Sequence, residues 1–75
     1  MPHLPVIKDR DIIKVLLQLG FSERKTGATS HIVYAHTDGR RATIARHSGK
    51  DIPRGTLRGI LRDINVSPDE LRRLL

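Results

Sequence analysis

The run Ser30-His31-Ile32-Val33-Tyr34-Ala35-His36, then Thr37-Asp38-Gly39, then Arg40-Arg41-Ala42-Thr43-Ile44-Ala45-Arg46, constrains the fold more than any other part of the chain. Ile32, Val33 and Tyr34 are β-branched or aromatic and suit a pleated strand. The Asp-Gly step supplies the positive φ that a tight reversal demands. Two extended runs joined this closely pair antiparallel, because a parallel pair needs a long crossover. The return strand carries three arginines, Arg40, Arg41 and Arg46, beside a strand that begins with a histidine. That pairing suits chemistry on a phosphodiester.

The flanks supply helices. Ile12, Val15, Leu16 and Leu19 recur at helical spacing and predict a helix over 8–19. Asp9 and Asp11 sit in its first turn, where negative charge suits the dipole, and Gly20 ends it. Ile13 and Leu17 widen its apolar arc, as expected of a well-buried helix or of a face used in a homodimer. Phe21 to Lys25 reads as a short strand with Phe21 in the core, and Thr26 to Thr29 as a turn of small residues. Pro53 is expected as the first residue of a second helix with Leu57, Ile60, Leu61 and Ile64 on one face. Gly55 and Gly59 cost that helix about 1 kcal/mol each against alanine, which suggests close approach of another backbone or a ligand. Ser67-Pro68-Asp69-Glu70 starts a last helix that covers the core edge with Leu71 and Leu74. The expected fold is α+β: a three-stranded antiparallel sheet with one face packed on helices, in a single domain over 1–75. Residues 1–7 read as a loose arm, with His3 a solvated bystander.

A chain of 75 residues without cysteine has little core and no staple. Help from a second copy or another protein is therefore expected. The lack of cysteine suits a reducing compartment, and no apolar run is long enough for a membrane span or a leader, so a cytoplasmic protein is expected. The net charge is +6, from 14 Lys+Arg against 8 Asp+Glu. Seven basic residues, Arg40, Arg41, Arg46, Lys50, Arg54, Arg58 and Arg62, stand against one acid, Asp51, between positions 40 and 62. Arg54, Arg58 and Arg62 recur every four residues and form a ridge beside the apolar face of the second helix. Such a track suits RNA phosphates. With only Phe21 and Tyr34 as aromatics, contacts to the nucleic-acid backbone are favoured over stacking.

His31 is the first chemical candidate. An unperturbed imidazole exchanges protons near neutral pH, and RNA carries its own nucleophile in the 2′-hydroxyl. A base at that oxygen with cations on the phosphate suffices for cleavage to a 2′,3′-cyclic phosphate, without a metal. Ser30 is placed to orient the imidazole or touch phosphate. His47, before Ser48-Gly49-Lys50, is a candidate donor to the leaving oxygen, and that loop is suited to hold a phosphate. Structural roles for both histidines are the competing reading, and His36 is expected to be exposed. The spacing of His31, His36, Asp38 and His47 matches no zinc pattern, so neither a metal nor a cofactor is expected. No nucleophile elbow supports a Ser-His-Asp hydrolase.

Taken together, Gly20-Phe21, Ser30-His31 with Tyr34, Asp38-Gly39-Arg40, and Arg46-His47-Ser48-Gly49-Lys50-Asp51-Ile52-Pro53-Arg54-Gly55-Thr56-Leu57 with Ile60-Leu61 resemble the HicA toxin family. The likeness runs from about Asp9 to the C-terminus and is most specific from His47 to Leu61. It implies a double-stranded-RNA-binding-domain-like α-β-β-β-α fold and a ribonuclease toxin that cleaves mRNA and halts growth. It also implies an antitoxin partner of the HicB family that covers the active site. The family's catalytic histidine lies in a Gly-Ser-His motif, which maps onto His31. Here the motif reads Thr29-Ser30-His31, with Gly27 two positions before Thr29. The resulting expectation is a metal-independent endoribonuclease with His31 as general acid–base. Its rival is a non-catalytic module that binds RNA or protein with the same basic face.

Overall fold

Helix-favouring periodicity, one hairpin and one serine cap produce the element order of the chain. The computed structural model describes residues 4–24, 31–46 and 49–75. Helix α1 spans Asp9–Gln18 and buries Ile12, Val15 and Leu16. The Lys8 N–H donates to the Asp11 carboxylate at 2.9 Å, which satisfies one donor ahead of the first turn. At the other end Gly20 takes φ +94°, a value that L side chains rarely adopt. The Phe21 N–H then reaches back to the Leu16 carbonyl at 2.9 Å, and the Gly20 N–H to the Leu17 carbonyl. This closing pattern brings Phe21 and Leu16 into the core together.

Strands β1 (Ser22–Arg24), β2 (His31–Ala35) and β3 (Arg41–Ala45) form one antiparallel sheet in the order β1-β2-β3. The register sets His31 opposite Ala45, Val33 opposite Thr43 and Tyr34 opposite Ala42. Alternation then separates two faces. Ile32, Tyr34, Ala42 and Ile44 turn toward the helices, whereas His31, Arg41 and Thr43 lie exposed on the other face. Helix α2 (Arg54–Ile64) lays Leu57, Ile60, Leu61 and Ile64 into the core and packs on β3. It ends as α1 does, with Asn65 at φ 57° and the Val66 N–H on the Leu61 carbonyl at 3.0 Å. Helix α3 (Pro68–Leu74) starts where the Ser67 hydroxyl accepts the Glu70 N–H at 3.1 Å, and buries Leu71. The architecture is therefore α-β-β-β-α with a short terminal helix, consistent with a double-stranded-RNA-binding-domain-like arrangement.

Several local expectations change. Residues 4–7 are docked rather than loose: Ile7 is buried and Leu4 packs against the core. The cause is a pairing distant in sequence, in which the Ile52 N–H donates to the Ile7 carbonyl at 2.9 Å and Lys8 bridges antiparallel to Asp51. Pro53 is the cap of α2 rather than its first residue, holding an extended ψ of 145°. A methyl added at Gly55 or Gly59 would meet nothing within 4 Å, so no described part of the chain needs either glycine. Ile13 packs against the core, while Leu17 stands 55% exposed. The expected turn at Thr26–Thr29 and residue His3 lie outside the described residues.

The docked segment is testable. Ile7→Ala should lower stability by about 2–4 kcal/mol, the ordinary cost of a cavity at a buried isoleucine. Urea unfolding measures it, and a change within error would return residues 4–7 to a loose arm.

Candidate active site and basic surfaces

His31 opens β2 and is exposed. It lies on the rim of a cleft of about 490 Å³ that also touches Thr43, Ile44, Ala45, Lys50, Ile52, Pro53, Thr56 and Ile60, with Asp9 and Asp51 at its border. The lining draws on both faces of β3, so the cleft follows the open edge of that strand toward the start of α2. Ile44, Ile52 and Ile60 give it an apolar floor, and His31, Lys50 and the two threonines give it a polar rim.

The wall that carries Lys50 is held from the N-terminal side. Lys8 Nζ lies 3.1 Å from Asp51 Oδ1 and donates to the Gly49 carbonyl at 3.2 Å. With the Ile7–Ile52 hydrogen bond, these contacts fix residues 49–52 beside the sheet. Thr43, Thr56 and Lys8 were not singled out from the sequence. The register of the Asp38-Gly39 hairpin does carry the signal for Thr43, because Val33 faces Thr43 and His31 is two residues before Val33. By the same register Arg24, opposite Val33, shares the His31 face of the sheet.

The arginines separate into two groups. Arg40 is committed to the fold: its guanidinium pairs with Asp38 at 2.7 Å, donates to the Ile64 carbonyl, and stands 5.0 Å from the centre of the Phe21 ring. Arg46 leans on Glu23 at 3.8 Å, on the helix-facing side of the sheet. Glu23 also accepts the Tyr34 hydroxyl at 3.3 Å. Burial raises the pKa of that phenol; the Arg46 hydrogen bond opposes the rise and the Glu23 charge adds to it.

Of the basic residues between positions 40 and 62, Arg41, Lys50, Arg54, Arg58 and Arg62 make no ion pair among the described residues. Arg41 lies exposed on the His31 face, four residues along β3 from Ala45, or roughly 13 Å at strand rise. Lys50 is at the cleft. Arg54, Arg58 and Arg62 line a different hollow of about 260 Å³, with Leu4, Leu61, Val66 and Pro68. Helical geometry puts that ridge on the flank of α2 opposite Thr56 and Ile60. The structure thus brings His31 and Lys50 to one cleft and leaves the ridge on a separate surface. Ser30 and His47 lie outside the described residues.

His36 is half-buried, not exposed as expected. Its ring meets Phe21 edge-on at 5.1 Å, and its Nδ1 accepts the Asp38 N–H at 3.1 Å. The Arg40 backbone N–H, the largest influence, and its guanidinium hold the Asp38 carboxyl below the usual carboxylate range. A carboxyl with a lowered folded pKa adds stability above its unfolded value near 4, and that contribution is lost as pH falls through the folded value. Among the described residues, no three His, Cys, Asp or Glu side chains gather as metal ligands. None of the described helices is long and apolar enough to cross a membrane.

The chain matches the family model of the HicA toxin of bacterial toxin–antitoxin systems over residues 10–66, more than half its length, and belongs to that family. No curated protein matches it. Toxins of this family generally cleave mRNA and are paired with an antitoxin. The matched span includes His31 and the cleft residues from Thr43 to Ile60.

Arg40→Ala should cost about 1–2 kcal/mol, because it removes a charge-assisted hydrogen bond and a cation–π contact. In a domain this size the unfolding midpoint falls by about 4–8 °C per kcal/mol. Calorimetry measures the shift, and an unchanged midpoint would release Arg40 for another role.

Proposed function

We propose that this chain is a metal-independent endoribonuclease that cleaves mRNA, with His31 as the general acid–base. The observation that carries the reading is an exposed imidazole on the rim of a cleft that also holds a lysine. In the neutral imidazole one ring nitrogen accepts a proton from the ribose 2′-hydroxyl. The oxygen attacks the adjacent phosphorus, and the 5′-oxygen of the next nucleotide leaves with a proton. The products are a 2′,3′-cyclic phosphate and a free 5′-hydroxyl. Lys50 supports the charge that builds on the phosphoryl oxygens. Ser30 and His47 are the proposed helpers, one orienting the ring and the other protonating the leaving oxygen.

RNA backbone binding is assigned to Arg41, Lys50, Arg54, Arg58 and Arg62. Arg40 and Arg46 contribute less, since their guanidinium groups already serve the fold. The antitoxin is of the HicB kind and acts in the cytoplasm by covering the His31 cleft.

Two experiments test this reading. His31→Ala should abolish cleavage of labelled RNA in EDTA while circular dichroism stays native. Persistent fragments would remove His31 from the reaction, and intact RNA with the unmodified protein would favour a non-catalytic binding module. Arg58→Glu with Arg62→Glu removes two phosphate contacts from the ridge. The slope of log affinity against log salt should become shallower by about 1.4 on single-stranded RNA. An identical slope would remove the ridge from the RNA track.

A further inference from the structure

We propose that the cleft beside His31 seats a nucleobase of the RNA, and that Thr43 and Thr56 read its identity. The inference rests on the reading of this cleft as the RNA-cleaving site. The cavity, about 490 Å³, is within the range of small-molecule sites and larger than a phosphate requires. Its floor is aliphatic, from Ile44, Ile52 and Ile60, and its rim carries two hydroxyls. A base has two apolar faces and a polar edge, and this arrangement matches both.

The rim charges favour the same occupant. Asp9 and Asp51 line the cleft; Asp51 is paired with Lys8, whereas Asp9 makes no ion pair among the described residues and disfavours an anion inside. The phosphate therefore stays at the His31 and Lys50 mouth, and the uncharged base enters. Nor can a base stack on either phenyl ring of the chain. Tyr34 is 1% exposed, and Phe21 is buried beside Arg40 and His36. The aliphatic floor, with the His31 ring at the rim, grips the base by its faces instead. Each threonine hydroxyl donates one hydrogen bond and accepts others, so it can meet either kind of edge.

The test is a binding titration that does not depend on cleavage. Isotope-labelled protein is titrated with 2′-O-methyl dinucleotides, which lack the attacking hydroxyl, in versions that differ in one base. Amide shifts should centre on Thr43, Ile52 and Thr56, with affinities that differ between bases by about 3- to 10-fold, the worth of one hydrogen bond. Thr56→Val and Thr43→Val should shrink that difference. Thr56→Phe, which fills the cleft, should remove the shifts while the spectrum stays dispersed. Shifts confined to the Arg54, Arg58 and Arg62 flank, or equal affinities for every base, would overturn the proposal. If cleft shifts persist while His31→Ala still cleaves, the base seat stands and the role of His31 falls. If cleavage depends on His31 and the cleft amides do not move, the base seat falls alone.

Discussion

Burial of the Leu57, Ile60, Leu61 and Ile64 stripe of α2 against the sheet face that carries Ala42 and Ile44 is the contact on which the other features depend. Each such side chain contributes about 1.5–3 kcal/mol when taken out of water. In a chain of 75 residues with no disulfide, there is little else to hold a helix in place. Once the stripe is seated, the rest of α2 is assigned by its period. One flank, with Thr56 and Ile60, closes the cleft beside the edge of β3, and the other carries Arg54, Arg58 and Arg62. The position of Ile60 in both the core and the cleft floor shows how closely the site is tied to the packing.

Features set by local chemistry were legible in the sequence. The helical periods, the Asp38-Gly39 reversal, the Gly20 termination and the Ser67 cap each depend on residues a few positions apart, and each is present. What was not legible depends on distant partners. Nothing near Ile7 announces that its carbonyl will meet the N–H of Ile52, so residues 4–7 read as an arm. Arg40 looked like one more cation for RNA, because its acceptor at Ile64 lies 24 positions away. His36 looked exposed for the same reason: only the fold brings Phe21 to its edge. Within the cleft, His31 and Lys50 were named from their chemistry. Thr56 was not, since the angle it takes on α2 has meaning only once the helix has a sheet to lie on.

The seven basic residues between positions 40 and 62 are one group by composition and several by structure. Arg40 and Arg46 each find a carboxylate, Asp38 and Glu23, and bind turns and strands to the core. Their charge is partly cancelled before any ligand arrives. Arg41, Lys50, Arg54, Arg58 and Arg62 have no such partner among the described residues. They repel one another in the free protein, which raises the free energy of the compact state. A polyanion that binds the folded chain more tightly than the unfolded one relieves that repulsion, which links binding to stability. On the proposed reading, an antitoxin that presents acidic groups to the same residues gains the same benefit and competes with RNA through charge placement.

On the proposed reading, separation of the ridge from the cleft divides the labour of recognition. Phosphate contacts fix register but carry no sequence information, whereas base edges do. On this chain the phosphate-suited ridge and the cleft lie on opposite flanks of a helix about 10–12 Å across with its side chains. A strand that uses both, on the proposed reading, crosses the exposed side of α2 or its N-terminal end. Gly55, exposed near that end and open to a ligand, leaves its backbone uncovered. A glycine there costs helix propensity and contributes nothing to the described core. On the proposed reading, the open space beside it gives a strand room to cross from the arginines to the cleft.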